Sequence, residues 1–158
     1  MKKQAKIRKA KIKDLHQVME LFEQLVLEEK FQYDNSIYLP FYKRFSENHF
    51  SKLISSENSI CFVAEITDEM LVGYISGRVI KTPDFTHGHT MEISSIYVKE
   101  EFRNSRIGTG LVNMLISWTE KKGVRKLSVN TYIKNNGAIF FYNQFGFIPT
   151  RITLERVG

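Results

Sequence analysis

The chain has 158 residues, 42% of them hydrophobic and 25% charged, which is one domain's worth of sequence with enough apolar material for a core. Collagen-like, disordered and disulfide-scaffold classes are excluded by that composition. The net charge is +6, but seven of the 23 basic residues (Lys2, Lys3, Lys6, Arg8, Lys9, Lys11 and Lys13) lie in the first thirteen positions, which carry no acid. The rest is close to neutral, so the basic balance reports one end of the chain, not a nucleic-acid-binding face. The single cysteine, Cys61, excludes an internal disulfide and points to a reducing compartment. It sits in an apolar run and reads as a small buried hydrophobe. No apolar stretch is long enough for a membrane span, and no apolar region follows the basic start as in a signal peptide. A cytoplasmic protein that engages neither nucleic acid nor membrane is expected.

With three prolines, no repeat and no linker, the chain reads as one domain over residues 1–158. A first strand is expected at 5–12. Asp14 with Gln17 three residues on has the pattern of a capping box. Leu15, Val18, Met19, Phe22, Leu25, Val26 and Glu29 follow at helical spacing, only the last of them polar. Residues 31–45 crowd Phe31, Tyr33, Tyr38, Phe41, Tyr42 and Phe45 together, and a second helix is expected over about 41–56. Runs at 59–66 and 71–80 read as strands joined by a short polar turn, hence a hairpin. A loop at 83–89 leads to a strand at 91–98. The helical pattern after Gly110 closes on Lys121, Lys122 and Gly123, favourable charges and a terminal glycine. A strand around 127–131, a short helix at 136–144 and a last strand at 148–156 complete the order. Strands interleaved with helices give a mixed sheet covered by helices, in the α/β or α+β class.

The segment between strand 91–98 and the following helix carries the chemistry. A loop with Gly108 and Gly110 opens directly into a helix N-terminus, where unpaired N–H groups and the helix dipole favour an anion, with Arg103 and Arg106 beside it. Two phosphate motifs fail. A dinucleotide fingerprint needs glycine at 113, which is Asn113, and the Gly-Lys-Ser/Thr of a P-loop is absent. His87, His89 and Glu92 match metal ligands by type but read as polar loop surface, so no metal is expected.

The run Arg103-Asn104-Ser105-Arg106-Ile107-Gly108 resembles the acyl-CoA pyrophosphate loop of the GCN5-related N-acetyltransferases (GNAT), Arg/Gln-x-x-Gly-x-Gly/Ala, with Arg106 standing where the pattern has its first glycine. Asn135, Ala138, Phe141, Tyr142, Gly146 and Phe147 are similar to that family's second signature, and the opening Ile7-Arg8-Lys9-Ala10 to its first strand. The resemblance implies a mostly antiparallel mixed sheet of six to seven strands flanked by about four helices, with strands four and five splayed. It implies an N-acetyltransferase that moves an acetyl group from acetyl-CoA to a primary amine by direct attack. The backbone of Ile96, Tyr97 and Val98 would pair with the pantetheine arm. The N–H groups of Arg103, Asn104, Ser105, Arg106, Ile107, Gly108 and Thr109 would hold the pyrophosphate, and Asn135 would hydrogen-bond the cosubstrate. A strand-four N–H near Val98 would stabilise the oxyanion. Tyr142 matches the acid that protonates the leaving thiolate. Glu92 is the candidate base, with ordered water as its alternative. The aromatic group at 31–45 is either core or the wall of the acceptor site, where it would favour an apolar or cationic acceptor. Members of the family frequently dimerise, which makes a homodimer an expected state. Arg106 at a glycine position leaves a second reading, a non-catalytic acyl-CoA-binding module of the same fold.

Overall fold

In the computed structural model, residues 4–67, 69–81 and 88–158 are described. Lys2 and Lys3 of the basic end, Asp68 of the hairpin turn, and Pro83 and His87 of the loop lie outside them. The order is β1 (Lys6–Lys9), α1 (Leu15–Gln32), α2 (Leu39–Ser55), β2 (Ser59–Thr67), β3 (Met70–Ile80), β4 (Thr90–Val98), α3 (Ile107–Lys121), β5 (Lys126–Val129) and α4 (Asn136–Asn143). The strands form one sheet in the order β1-β2-β3-β4-β5, antiparallel throughout except for the parallel β4–β5 pair.

Apolar residues alternate along the strands and feed two cores. Cys61 and Val63 of β2 and Tyr74 of β3 face Val18, Leu21, Phe22 and Val26 of α1 and Phe50 and Leu53 of α2. Ile60, Phe62 and Ala64 face the other way, with Val72, Ile75, Met91 and Ile93, against Ile107, Leu111, Val112 and Leu115 of α3. The sheet is therefore covered on both faces, and each fully buried Leu, Ile or Phe contributes about 1.5–3 kcal/mol. α3 ends at Gly123, which adopts a left-handed conformation. Among the described residues no helix is long and apolar enough to cross a membrane.

Three local expectations are corrected. The sheet has five strands among the described residues, not six or seven. Residues 148–156 form no strand; they run as unpaired chain, with Leu154 91% exposed. Alternation of Ile148, Ile152 and Leu154 gives a strand its faces, but only a neighbouring edge gives it a ladder. Asp14 does not cap α1. Its carboxylate takes two hydrogen bonds from Arg8 (2.7 and 3.0 Å) and one from the Lys11 N–H (2.7 Å), closing a short 3-10 turn. Gln17 instead bridges to the hairpin, donating to the Glu69 carbonyl and accepting from the Leu71 N–H. Of the two readings of the aromatic group at 31–45, core holds for Tyr42, which packs against the buried cluster, while Phe31, Tyr38, Phe41 and Phe45 are exposed.

Candidate active site

The site begins with an irregularity in β4. Ser76 pairs with Ser95 and Gly77 with Ile93, so Ser94 is an extra residue, a β-bulge. Up to that point β4 is paired with β5, from Thr90↔Lys126 to Ile93↔Val129; beyond it the β4–β5 pairing stops. Residues 94–98 therefore keep β3 on one side and present an open backbone edge on the other. Glycines on β3 make the bulge fit. A Cβ at Gly77 would lie 2.8 Å from the Glu92 carbonyl oxygen, and one at Gly73 2.9 Å from that of Tyr97. Both approaches are to backbone, which cannot swing aside. Ser94 Oγ is buried there without a hydrogen-bond partner among the described residues.

The open edge leads to the N-terminus of α3. Arg103 turns back on the strand: its Nε donates to the Val98 carbonyl (2.9 Å), and Nη2 donates to both carboxylate oxygens of Glu28 on α1 (2.8 and 3.0 Å). Tyr97 donates its hydroxyl proton to the same carboxylate (2.8 Å) and lies under the guanidinium at 5.3 Å. Burial, followed by the Glu28 hydrogen bond, pushes the Tyr97 phenol up to about 12. The backbone N–H of Arg103 is engaged by the Glu100 carbonyl. The guanidinium and N–H of Arg103 are thus committed within the protein, which leaves residues 104–109 to meet an anion. Ser105 Oγ donates to the Phe102 carbonyl and so shapes this loop.

Arg106 answers the departure from the glycine pattern. It is the residue before α3 and has φ 65° and ψ 9°, the left-handed conformation that glycine adopts without penalty. An arginine has kept the backbone path of a glycine. The strain costs about 1–2 kcal/mol, so Arg106→Gly is expected to stabilise the fold by about 1 kcal/mol in chemical denaturation. Among the described residues no side chain caps α3, so its first N–H groups, from Ile107, Gly108 and Thr109, have no side-chain acceptor there.

From the far side comes α4. Asn135 caps it, its side-chain oxygen accepting the Ala138 N–H at 3.0 Å, which leaves the amide nitrogen as the donor for a ligand. Tyr142 is 5% exposed, flanked by the rings of Phe141 and Phe147 at 5.3 and 5.4 Å. Burial pushes its phenol up, so it holds its proton at neutral pH. It packs in one cluster with Val72 and Ile75 of β3 and Ile96 and Val98 of β4, and on β3 the Tyr74 hydroxyl donates to Ser95 Oγ at 2.7 Å, one residue past the bulge. α4, β3 and the bulged part of β4 thus converge at the mouth of the opening.

Glu92 lies before the bulge, opposite Ser128 where β4 and β5 are still paired, and 3.4 Å from the guanidinium of Arg78 on β3. It is the predicted site residue set furthest from the opening along β4. His89 is exposed and His87 is outside the described residues. Among the described residues no three His, Cys, Asp or Glu side chains group as metal ligands do. Sequence reasoning missed the bulge, Tyr74 and Glu28. The signal for the bulge was the serine pair between two apolar pairs of opposite phase, Met91 and Ile93 before it, Ile96 and Val98 after it.

Comparisons with known proteins bear on the family and the fold. An uncharacterized N-acetyltransferase of Methanocaldococcus jannaschii is 30% identical over 105 residues, 66% of this chain and 46% of that protein. The chain therefore spans about half the length of that curated relative. Among solved structures, a mutant protein from Bacillus halodurans superposes with a TM-score of 0.83 at 23% identity, over 96% of this chain and 98% of that one. AAC(6')-Iy, in complex with the bisubstrate analogue CoA-S-monomethyl-acetylneamine, superposes with a TM-score of 0.75 at 16% identity, over 98% of each chain. At such identities these likenesses speak for the fold. The sequence model of the acetyltransferase (GNAT) family matches residues 19–147, and the chain belongs to that family.

Proposed function

We propose that the protein is an acetyl-CoA-dependent N-acetyltransferase that acts on a primary amine of a small molecule or protein. The observation that carries this reading is the bulge at Ser94, which opens β4 from β5 beside an uncapped helix N-terminus and the buried phenol of Tyr142. The residues present fit acetyl-CoA. The edge of Ile96, Tyr97 and Val98 can pair with an extended amide-bearing arm as a strand would. Backbone N–H groups of Asn104, Ser105, Arg106, Ile107, Gly108 and Thr109 would receive the pyrophosphate, helped by the positive end of the α3 dipole. The amide nitrogen of Asn135 supplies a further donor.

Chemically, the acceptor nitrogen forms a C–N bond to the thioester carbon as the C–S bond breaks. A β4 N–H near Val98 would stabilise the oxyanion. Tyr142, protonated at neutral pH, would give its proton to the departing sulfur. No nucleophilic residue is required. The reading as a non-catalytic binding module rested on Arg106, and the glycine-like backbone there removes that motive. The proposal includes a cytoplasmic location, in keeping with the single buried cysteine. It also includes a homodimer, since a second copy would cover the exposed Ile148, Ile152 and Leu154 of the unpaired terminal segment.

The test is a titration with acetyl-CoA followed by thiol release over a panel of amines. Acetyl-CoA at a hundred times its dissociation constant should stabilise the fold by about 2.7 kcal/mol, and amines should then liberate thiol. No stabilisation would sink the reading; stabilisation without thiol release on any amine would favour the binding module.

A further inference from the structure

Three elements of the candidate site meet at one carboxylate. Glu28 of α1 accepts the Tyr97 hydroxyl of β4 at 2.8 Å and, at 2.8 and 3.0 Å, the Nη2 of Arg103 at the head of the loop before α3. Burial does not force these two charges together, since the Arg103 and Glu28 side chains are 39% and 34% exposed. An ion pair at such exposure contributes little to stability, so what this one sets is direction. The Tyr97 ring lies under the guanidinium at 5.3 Å, and Arg103 Nε donates to the Val98 carbonyl at 2.9 Å. The N–H of that same peptide group, on Lys99, donates to the Val72 carbonyl at 2.9 Å. The peptide that ends β4 is thus held at both of its polar groups, by β3 on one side and by Arg103 on the other.

The two arginines of the loop keep different company. Arg106 is exposed and has no ion pair among the described residues. Arg103 has its charge balanced by Glu28. A guanidinium balanced by a carboxylate adds little attraction for a phosphate nearby. What Arg103 keeps is its rigid fork, one arm on the end of the β4 edge and the other on α1. That edge is where an extended thioester arm would lie, and a misplacement of about 1 Å at a reacting carbon can cost about a hundredfold in rate.

We propose that Glu28 is a positioning residue: it withholds the Arg103 guanidinium from the phosphates of acetyl-CoA and, through Arg103 and Tyr97, fixes the end of β4 whose N–H groups meet the thioester. This role rests on the acetyltransferase reading and adds to it a residue of α1. It sets binding against alignment. With the Glu28 charge in place, the phosphates are met by backbone N–H groups and Arg106, and the thioester is met by a rigid strand end. With that charge removed, Arg103 is released toward the phosphates. Acetyl-CoA is then held more tightly and aligned less well. A residue that only braced the fold would, on loss, weaken both.

The experiment uses the full chain and its Glu28→Gln, Glu28→Asp and Arg103→Gln variants, with the Glu28→Gln/Arg103→Gln pair. Calorimetry with acetyl-CoA at neutral pH, at about 0.05 and 0.5 M salt, reads affinity. Glu28→Gln should bind roughly three- to tenfold more tightly than wild type at low salt, and the gain should fade at high salt. In the double variant the gain should vanish, because it belongs to Arg103. Carbon-13 NMR of acetyl-CoA labelled at the thioester carbonyl reads alignment without an acceptor. The bound resonance should lie downfield of the free one in wild type, as for a carbonyl that accepts hydrogen bonds from the strand. Roughly half of that displacement or more should be lost in Glu28→Gln and partly restored in Glu28→Asp. Arg103→Gln should lose it as well, with no gain in affinity, so the test stands even if Glu28→Gln folds poorly. Weaker or unchanged affinity in Glu28→Gln would overturn the proposal, as would an unaltered carbonyl resonance or a gain that survives in the double variant. If neither wild type nor any variant binds acetyl-CoA, the acetyltransferase reading falls and this role with it. Wild-type binding and thiol release beside an unaffected Glu28→Gln would overturn this role alone.

Discussion

Tyr142→Phe is expected to lower the rate of acetyl transfer by roughly a hundredfold or more while leaving acetyl-CoA binding intact. The size follows from general acid catalysis, typically 10²–10⁴-fold in rate. The separation of rate from binding follows from packing. The tyrosine ring, not its hydroxyl, fills the space between Phe141 and Phe147 in the α3-side core, and phenylalanine retains that ring. Pre-steady-state measurement of thiol release, with a parallel acetyl-CoA titration, checks both halves. Burial raises the phenol, so the donor form persists through the neutral range and the acid limb should appear only well into alkaline pH. An unchanged rate in Tyr142→Phe would remove the hydroxyl from the reaction.

Arg8→Ala is expected to cost about 3–5 kcal/mol, a large share of the 5–15 kcal/mol by which a domain of this kind is stable. Arg8 sits between two carboxylates, bidentate to Asp14 and at 2.9 Å from Glu65 across the β1–β2 ladder. Asp14 is 2% exposed, and without the guanidinium its charge stays buried with only the Lys11 N–H for compensation. The effect depends on pH in a definite direction. The hydrogen bonds from Arg8 hold the Asp14 carboxyl below its ordinary value of 3.8. That stability is fully present above 3.8 and is lost as pH falls through the lowered folded value. Denaturant midpoints of wild type and variant should therefore converge in acid and separate toward neutral pH. A constant gap between the two would show that lost packing, not the Asp14 charge, accounts for the loss.

Much of the fold was legible because it is written in local periodicity. The helices at 15–32 and 107–121, the hairpin of β2 and β3 and the short α4 all carry their pattern within one segment. What was not legible depended on partners distant in the chain. The apolar alternation of Ile148, Ile152 and Leu154 is a strand's pattern, yet no edge among the described residues pairs with it. Asp14 and Gln17 have a capping box's spacing, but Arg8 offers the carboxylate a full charge and Leu71 offers the amide a strand end. In the candidate site, the loop and Tyr142 were visible as motifs. The Ser94 bulge was not, because it is a relation between two strands.

The bulge also changes the handedness of what β4 says to its neighbours. Side chains on a strand alternate with a period of two, so one inserted residue shifts the phase by half a turn. Met91 and Ile93 before Ser94 and Ile96 and Val98 after it all reach the α3 side, although the spacing from 93 to 96 is odd. Ser95 and Tyr97 are thereby turned toward Tyr74 and Glu28, on the side of α1. With Ser94 taken into a regular ladder in place of the bulge, these two sets would exchange, presenting Ile96 and Val98 where the hydroxyls now stand. The bulge thus does two jobs at once: it parts two strands, and it decides which chemistry faces the gap.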